Sequence, residues 1–172
     1  MSSCLYCDSI PSYVYDACAT EKGRITGVAF IRCDFDFTDP TDANEWQTGI
    51  DAGQIHVIKS VRGAKPKATQ TTIDGFGLQR TKTVGYERTA TYQHTGVEGN
   101  EDFYDALNFD GSHRFAYVTA DNKVWIGDSA VANVDADHVV EEGLDTIIYW
   151  DVAVDWSANT VHVAYDIPTG IF

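Results

Sequence analysis

"TIIYWDVAVDW", residues 146–156, places Ile148, Trp150, Val152, Val154 and Trp156 on one side of an extended chain and turns Asp151 and Asp155 to the other. That alternation is the pattern of an antiparallel strand with one face on a core and one in water. The same period recurs in "RITGVAFIRCDFDF" (24–37), where Ile25, Ala29, Ile31, Cys33, Phe35 and Phe37 share a face opposed largely by Arg24, Thr26, Arg32, Asp34 and Asp36. Strand patterns follow at 53–61, 87–95, 113–120, 123–127 and 160–167, with "ADN" and "SAN" as turn-like separators. Seven strands joined by short turns and little helix predict a mainly β, antiparallel sandwich or partly closed barrel.

Two helical stretches interrupt the strands. In "GNEDFYDALNF" (99–109) Asn100 is the expected N-cap, Glu101 and Asp102 suit the first turn, and Phe103 with Leu107 form the expected buried stripe. In "TDPTDANEWQTGI" (38–50) Asp42 and Glu45 have capping-box spacing, Trp46 is expected to dock on the sheet, and Gly49 is expected to end the helix.

The 172 residues suit a single domain, 1–172, with a cysteine-containing N-terminal arm over 1–23. No apolar run spans a bilayer and the first twenty residues lack a secretory pattern, so a soluble chain with no membrane partner is expected. The net charge of -14 is unevenly placed. Residues 1–52 hold nine acids and three bases, 53–94 two acids and seven bases, and 95–172 fifteen acids and two bases. The basic stretch contains Lys59, Arg62, Lys65, Lys67, Arg80, Lys82 and Arg88, with glycines at 63, 75, 77 and 85. It reads as a long extended loop or arm over 59–88, whose natural target is an acidic surface on another copy. Tight nucleic-acid binding fits poorly, because the body repels phosphate.

Other chemistry is thinly supported. Cys4 and Cys7 form C-x-x-C, half of a zinc signal, while Cys18 and Cys33 lack the second close spacing; buried thiols are expected, with no metal and no cofactor. The acids Asp34, Asp36, Asp39 and Asp42 lack the glycine and distal glutamate of a calcium loop, and the acidic tract 135–143 is no better. No nucleophile elbow, phosphate loop, dinucleotide fingerprint or H-E-x-x-H motif occurs, and His56, His94, His113, His138 and His162 are scattered. A non-enzymatic protein is expected.

The order of elements resembles virion structural proteins of tailed phages, in particular the tail-tube type. The likeness is carried by "CLYCDSIP" (4–11) with Cys18, "GRITGVAFIRCDFDF" (23–37), "TDPTDANEW" (38–46), the long basic loop, "NEDFYDALN" (100–108), and the closing hairpins "TIIYWDVAVDW" and "TVHVAYD" (160–166). It covers most of the chain as an order of elements. The resemblance implies two packed antiparallel sheets, hexameric rings stacked head to tail as a tube or a head-to-tail junction ring, and an acidic channel that passes genomic DNA without holding it. It also implies a virion location beside other tail or connector proteins, and no catalytic residue. On that view the seven bases above form the subunit interface, and Asp34, Asp36, Asp151 and Asp155, on polar strand faces, are the lumen candidates. The alternative is a β-sandwich module binding carbohydrate or a receptor through exposed Trp and Tyr.

Overall fold

The computed structural model describes residues 12–13, 23–127 and 131–172. Nine antiparallel strands, two more than expected, form one sheet among the described residues: β1 (Ile25–Arg32), β2 (Ile55–Ala64), β3 (Thr69–Ile73), β4 (Lys82–His94), β5 (His113–Thr119), β6 (Lys123–Ile126), β7 (Asn133–Val139), β8 (Tyr149–Ser157) and β9 (Val163–Asp166). The helices are α1 (Ala43–Asp51) and α2 (Glu101–Phe109). The hydrogen-bonded order is β7-β8-β4-β2-β1-β5-β6-β9, with β3 paired to β4 alone. The sheet is not closed into a barrel.

It is nevertheless folded over. β8 and β5 stand four strand positions apart, which in a flat sheet would separate them by about 19 Å. Yet the rings of Trp156 and Phe115 have centroids 5.5 Å apart. The β7-β8-β4 wing therefore covers the β1-β5 region, giving a sandwich-like body from one continuous sheet. The fold line lies at β2, which pairs with β4 over only Arg62–Ala64. There Ser60 takes a positive φ of 60° and Gly63 packs so tightly that a Cβ would lie 2.6 Å from the Thr91 carbonyl oxygen.

β1 corrects the expected half-buried strand. Both its faces are covered, because it lies inside the sheet between β2 and β5. Val28 and Phe30 enter the core enclosed by the fold, with Tyr92, Trp150, Val152, Val154 and Trp156. Ala29 and Ile31 enter the opposite core beneath α1, with Trp46, Val118 and Val124. The strand also stops at Arg32, where Arg32 Nε donates to Asp34 at 2.8 Å and turns the chain. Phe35 and Phe37 then stack around Trp46 from a loop, the Phe37 and Trp46 centroids being 4.7 Å apart. Cys33 is a free, exposed thiol rather than a core residue. Cys4, Cys7 and Cys18 lie outside the described residues.

In α1 the Asp42 side chain accepts from Asn44 N at 2.9 Å, as an N-cap should. Glu45 departs from the capping box: its carboxylate accepts from the backbone of Thr38 and Asp39. Gly49 lies within the helix, because a Cβ there would stand 2.5 Å from Ile55 Cδ1, and the helix ends before Gly53 at φ +70°. In α2 the buried pair is Tyr104 and Leu107, with Phe103 half-buried. Asn100 occupies the N-cap position but donates to the Gly96 carbonyl instead of capping the helix. Asn108 bonds both backbone groups of Ala136, covering the outer edge of β7.

Candidate assembly interface

The segment expected as a loop is a β-hairpin. β3 runs against the first half of β4 from Thr69↔Glu87 to Ile73↔Lys82, and every β3 residue is exposed. β4 meets β8 only from Glu87↔Ser157 onward, so beyond half-buried Gly85 and Tyr86 the hairpin continues past the end of the sheet with its residues exposed among the described residues. Thr69, Thr71, Thr72, Ile73, Thr83 and Val84 are β-branched residues that hold strand conformation without a core. At the tip Gln79 N donates to the Phe76 carbonyl, and Gly77 takes φ +65°. A two-stranded ribbon alone in water is marginal at best. Its apolar groups are also turned outward: Phe76 is 92% exposed and Ile73 60%, with Leu78 and Val84 alongside.

The seven bases do not form one patch. Lys67, Arg80 and Lys82 are exposed on or beside the hairpin, and none has a carboxylate within 4 Å among the described residues. Lys65 is half-buried at its neck, where burial first and then Arg88 push its ammonium below the usual lysine range. Lys59 and Arg62 lie on the body, exposed beside Ser60, and with Arg24 they line two adjoining clefts of about 540 and 260 Å³. Arg88 leaves the interface set. It is buried, its Nε donates to the Ala158 carbonyl at 3.4 Å, and its guanidinium lies 5.4 Å from the Tyr86 ring centre. Its phase reveals this, since Arg88, Ala90 and Tyr92 all point into the core.

The acids also sort by position. Asp151 and Asp155 are exposed on the outer face of β8, as expected, while Trp150, Val152, Val154 and Trp156 are buried behind them. Ile148 precedes the strand and is exposed rather than buried. Asp151 stands opposite Asp137 of β7, Asp155 opposite Asn133, and Ala153 opposite Asp135. On the β4 side the same rows continue to Thr89, Thr91 and Gln93, and beyond Gln93 to Arg62 of β2, so the β7-β8 part of this face carries four aspartates and no base. Facing Asp137 and Asp151 costs stability, as like charges directly across strands do. Folding alone gives no reason for the arrangement. Asp34 and Asp36 are elsewhere, in the loop after β1; Asp34 pairs with Arg32, whose hydrogen bond holds its carboxyl below the usual range, and Asp36 lies 3.8 Å from Arg114. Sequence reading missed Asp135 and Asp137 because small Ala136 and exposed His138 blur the β7 alternation.

The remaining polar groups are mostly structural. Tyr104 meets the Tyr92 hydroxyl at 3.2 Å and also His94 Nε2; burial pushes Tyr104 up to about 12 and Tyr92 well above its usual value. His162 Nε2 donates to the Phe115 carbonyl at 3.0 Å inside the body. His113 is held by Asp110, with its ring 5.8 Å from His56, whose imidazole is pushed down by burial and then by His113. Among the described residues no three His, Cys, Asp or Glu side chains converge as a metal ligand set. Trp46, Trp150 and Trp156 are buried and Trp125 is half-buried. Among the described helices none is long and apolar enough to cross a membrane. In comparisons with known proteins the chain matches no family model, no curated protein and no solved structure.

Proposed function

We propose that this chain is a non-enzymatic virion assembly subunit of the tail-tube or head-to-tail ring type, which stacks into a conduit for DNA. The observation that carries the reading is the basic hairpin that extends past the sheet, with apolar groups that nothing among the described residues covers. A ribbon of this kind gains its order from a partner. The acidic β7-β8 face supports the conduit half of the reading: a wall lined by Asp135, Asp137, Asp151 and Asp155 repels phosphate, so DNA passes without sticking. A carbohydrate or receptor module is the weaker reading, because three of the four tryptophans are interior.

The test of the conduit is DNA retention. Changing Asp135, Asp137, Asp151 and Asp155 to Lys leaves assembly intact but makes the assembled material co-sediment with duplex DNA at low salt and release it at high salt. Screening acts over about 8 Å at physiological ionic strength, so only residues close to the duplex produce this effect. The same change at Asp34 and Asp36 leaves DNA unbound. Wild-type assemblies that hold DNA strongly at physiological salt, or a Lys variant that assembles and still ignores DNA, remove this face from the channel.

A further inference from the structure

Resting on the assembly reading above, we infer that the hairpin tip of one copy docks on the 140–148 segment of a second copy. That segment, "VEEGLDTII", joins β7 to β8 and mirrors the hairpin in composition. Val140, Leu144, Ile147 and Ile148 are exposed, Ile147 at 68%, and Glu141, Glu142 and Asp145 lie among them. The hairpin offers Ile73, Phe76, Leu78 and Val84 among Lys67, Arg80 and Lys82. None of these six charges has an opposite charge within 4 Å among the described residues. Each surface sets apolar groups among charges, and the two are opposite in net sign, with Asp74 the one acid at the hairpin tip and Arg24 and Arg62 the bases that share a cleft with Ile147.

The topology keeps the two apart within one chain. The hairpin leaves the β4-β8 ladder at Glu87↔Ser157, whereas the 140–148 segment enters β8 at the other end, by His94↔Trp150. The ladder between them is about 24 Å long, and the hairpin points away from the loop. Two hairpins repel one another, as do two acidic loops, so the favoured contact is between unlike ends. Contacts between unlike patches propagate into rings or stacks. The receiving loop is already shaped: Thr146 Oγ1 donates to the Gly143 carbonyl at 2.8 Å, and the Tyr149 hydroxyl donates to Glu141 at 3.2 Å. Phe76 is the expected anchor, since exposed aromatic side chains that become buried dominate interface energetics.

Charge exchange tests the pairing by sedimentation. One variant carries Arg80→Glu with Lys82→Glu, the other Glu142→Lys with Asp145→Lys; Glu141 is kept because it holds Tyr149. All four side chains are exposed, and a thermal melt verifies folding. Each variant alone should self-associate about tenfold or more weakly than wild type, and an equimolar mixture should recover association, because the acidic hairpin then meets a basic loop. Phe76→Ala should weaken association about tenfold with the salt dependence unchanged. If the loop variant associates like wild type while the hairpin variant does not, the receiving surface lies elsewhere: this inference fails and the assembly reading stands. A mixture that recovers only closed dimers supports the docking pair and overturns the stacked conduit. Wild type that stays monomeric at every concentration overturns both.

Discussion

Replacing residues 70–86 with an Asn-Gly turn between Thr69 and Glu87 should give a folded monomer that no longer assembles. Thr69 and Glu87 are register partners, so a two-residue turn closes the ladder where the hairpin was. None of the excised residues belongs to either hydrophobic core. The main losses are the Tyr86 contact with Arg88 and one bond from Ala158 N to the Tyr86 carbonyl. Unfolding should therefore remain one cooperative transition, within about 1 kcal/mol of the full chain, while light scattering falls to monomer size. The cut begins at 70 because Gly63 and Ala64 hold the join between β2 and β4. Loss of cooperative unfolding would mean that the hairpin supports the core.

Trp150→Ala should cost about 3–5 kcal/mol, the range for truncating a buried large aromatic. The side chain is 4% exposed, its ring centroid lies 4.5 Å from that of Tyr104, and it faces His138 edge-on. Its loss opens a cavity where α2 meets the β7-β8-β4 wing, and a rigid sheet closes over such a gap only partly. The indole nitrogen has no partner among the described groups, so its removal orphans no acceptor and the cost is packing alone. Asp155→Asn, on the opposite face of the same strand, should cost far less, since its exposed carboxylate has water as an alternative to Thr89. Urea melts that rank the two changes the other way would contradict the register of β8.

That register was legible because β8 has one buried and one wet face, so period two appears undiluted. β1 was less so. Its interior position buries both faces, and Phe35 and Phe37 continue the alternation after the strand has ended, since a loop also delivers aromatics to Trp46. β3 left no pattern because a ribbon with two wet faces has no reason to alternate. The charge count located the hairpin's bases, but it summed an inward Arg88 with outward Lys82. The 140–148 loop was hidden for the opposite reason. Ile148 extends the β8 phase by one step, and nothing in the chain marks that the core stops at Trp150. Surface apolar groups are distinguishable from core ones only when the fold is known.

Electron microscopy of the purified chain at micromolar concentration is the most direct test of the central claim. The account predicts rings stacked on a common axis around an open channel, with the hairpin of each subunit engaged on a neighbour and Asp135, Asp137, Asp151 and Asp155 on the channel wall. Uniform monomers or closed dimers, or a channel lined by another face of the sheet, would contradict it.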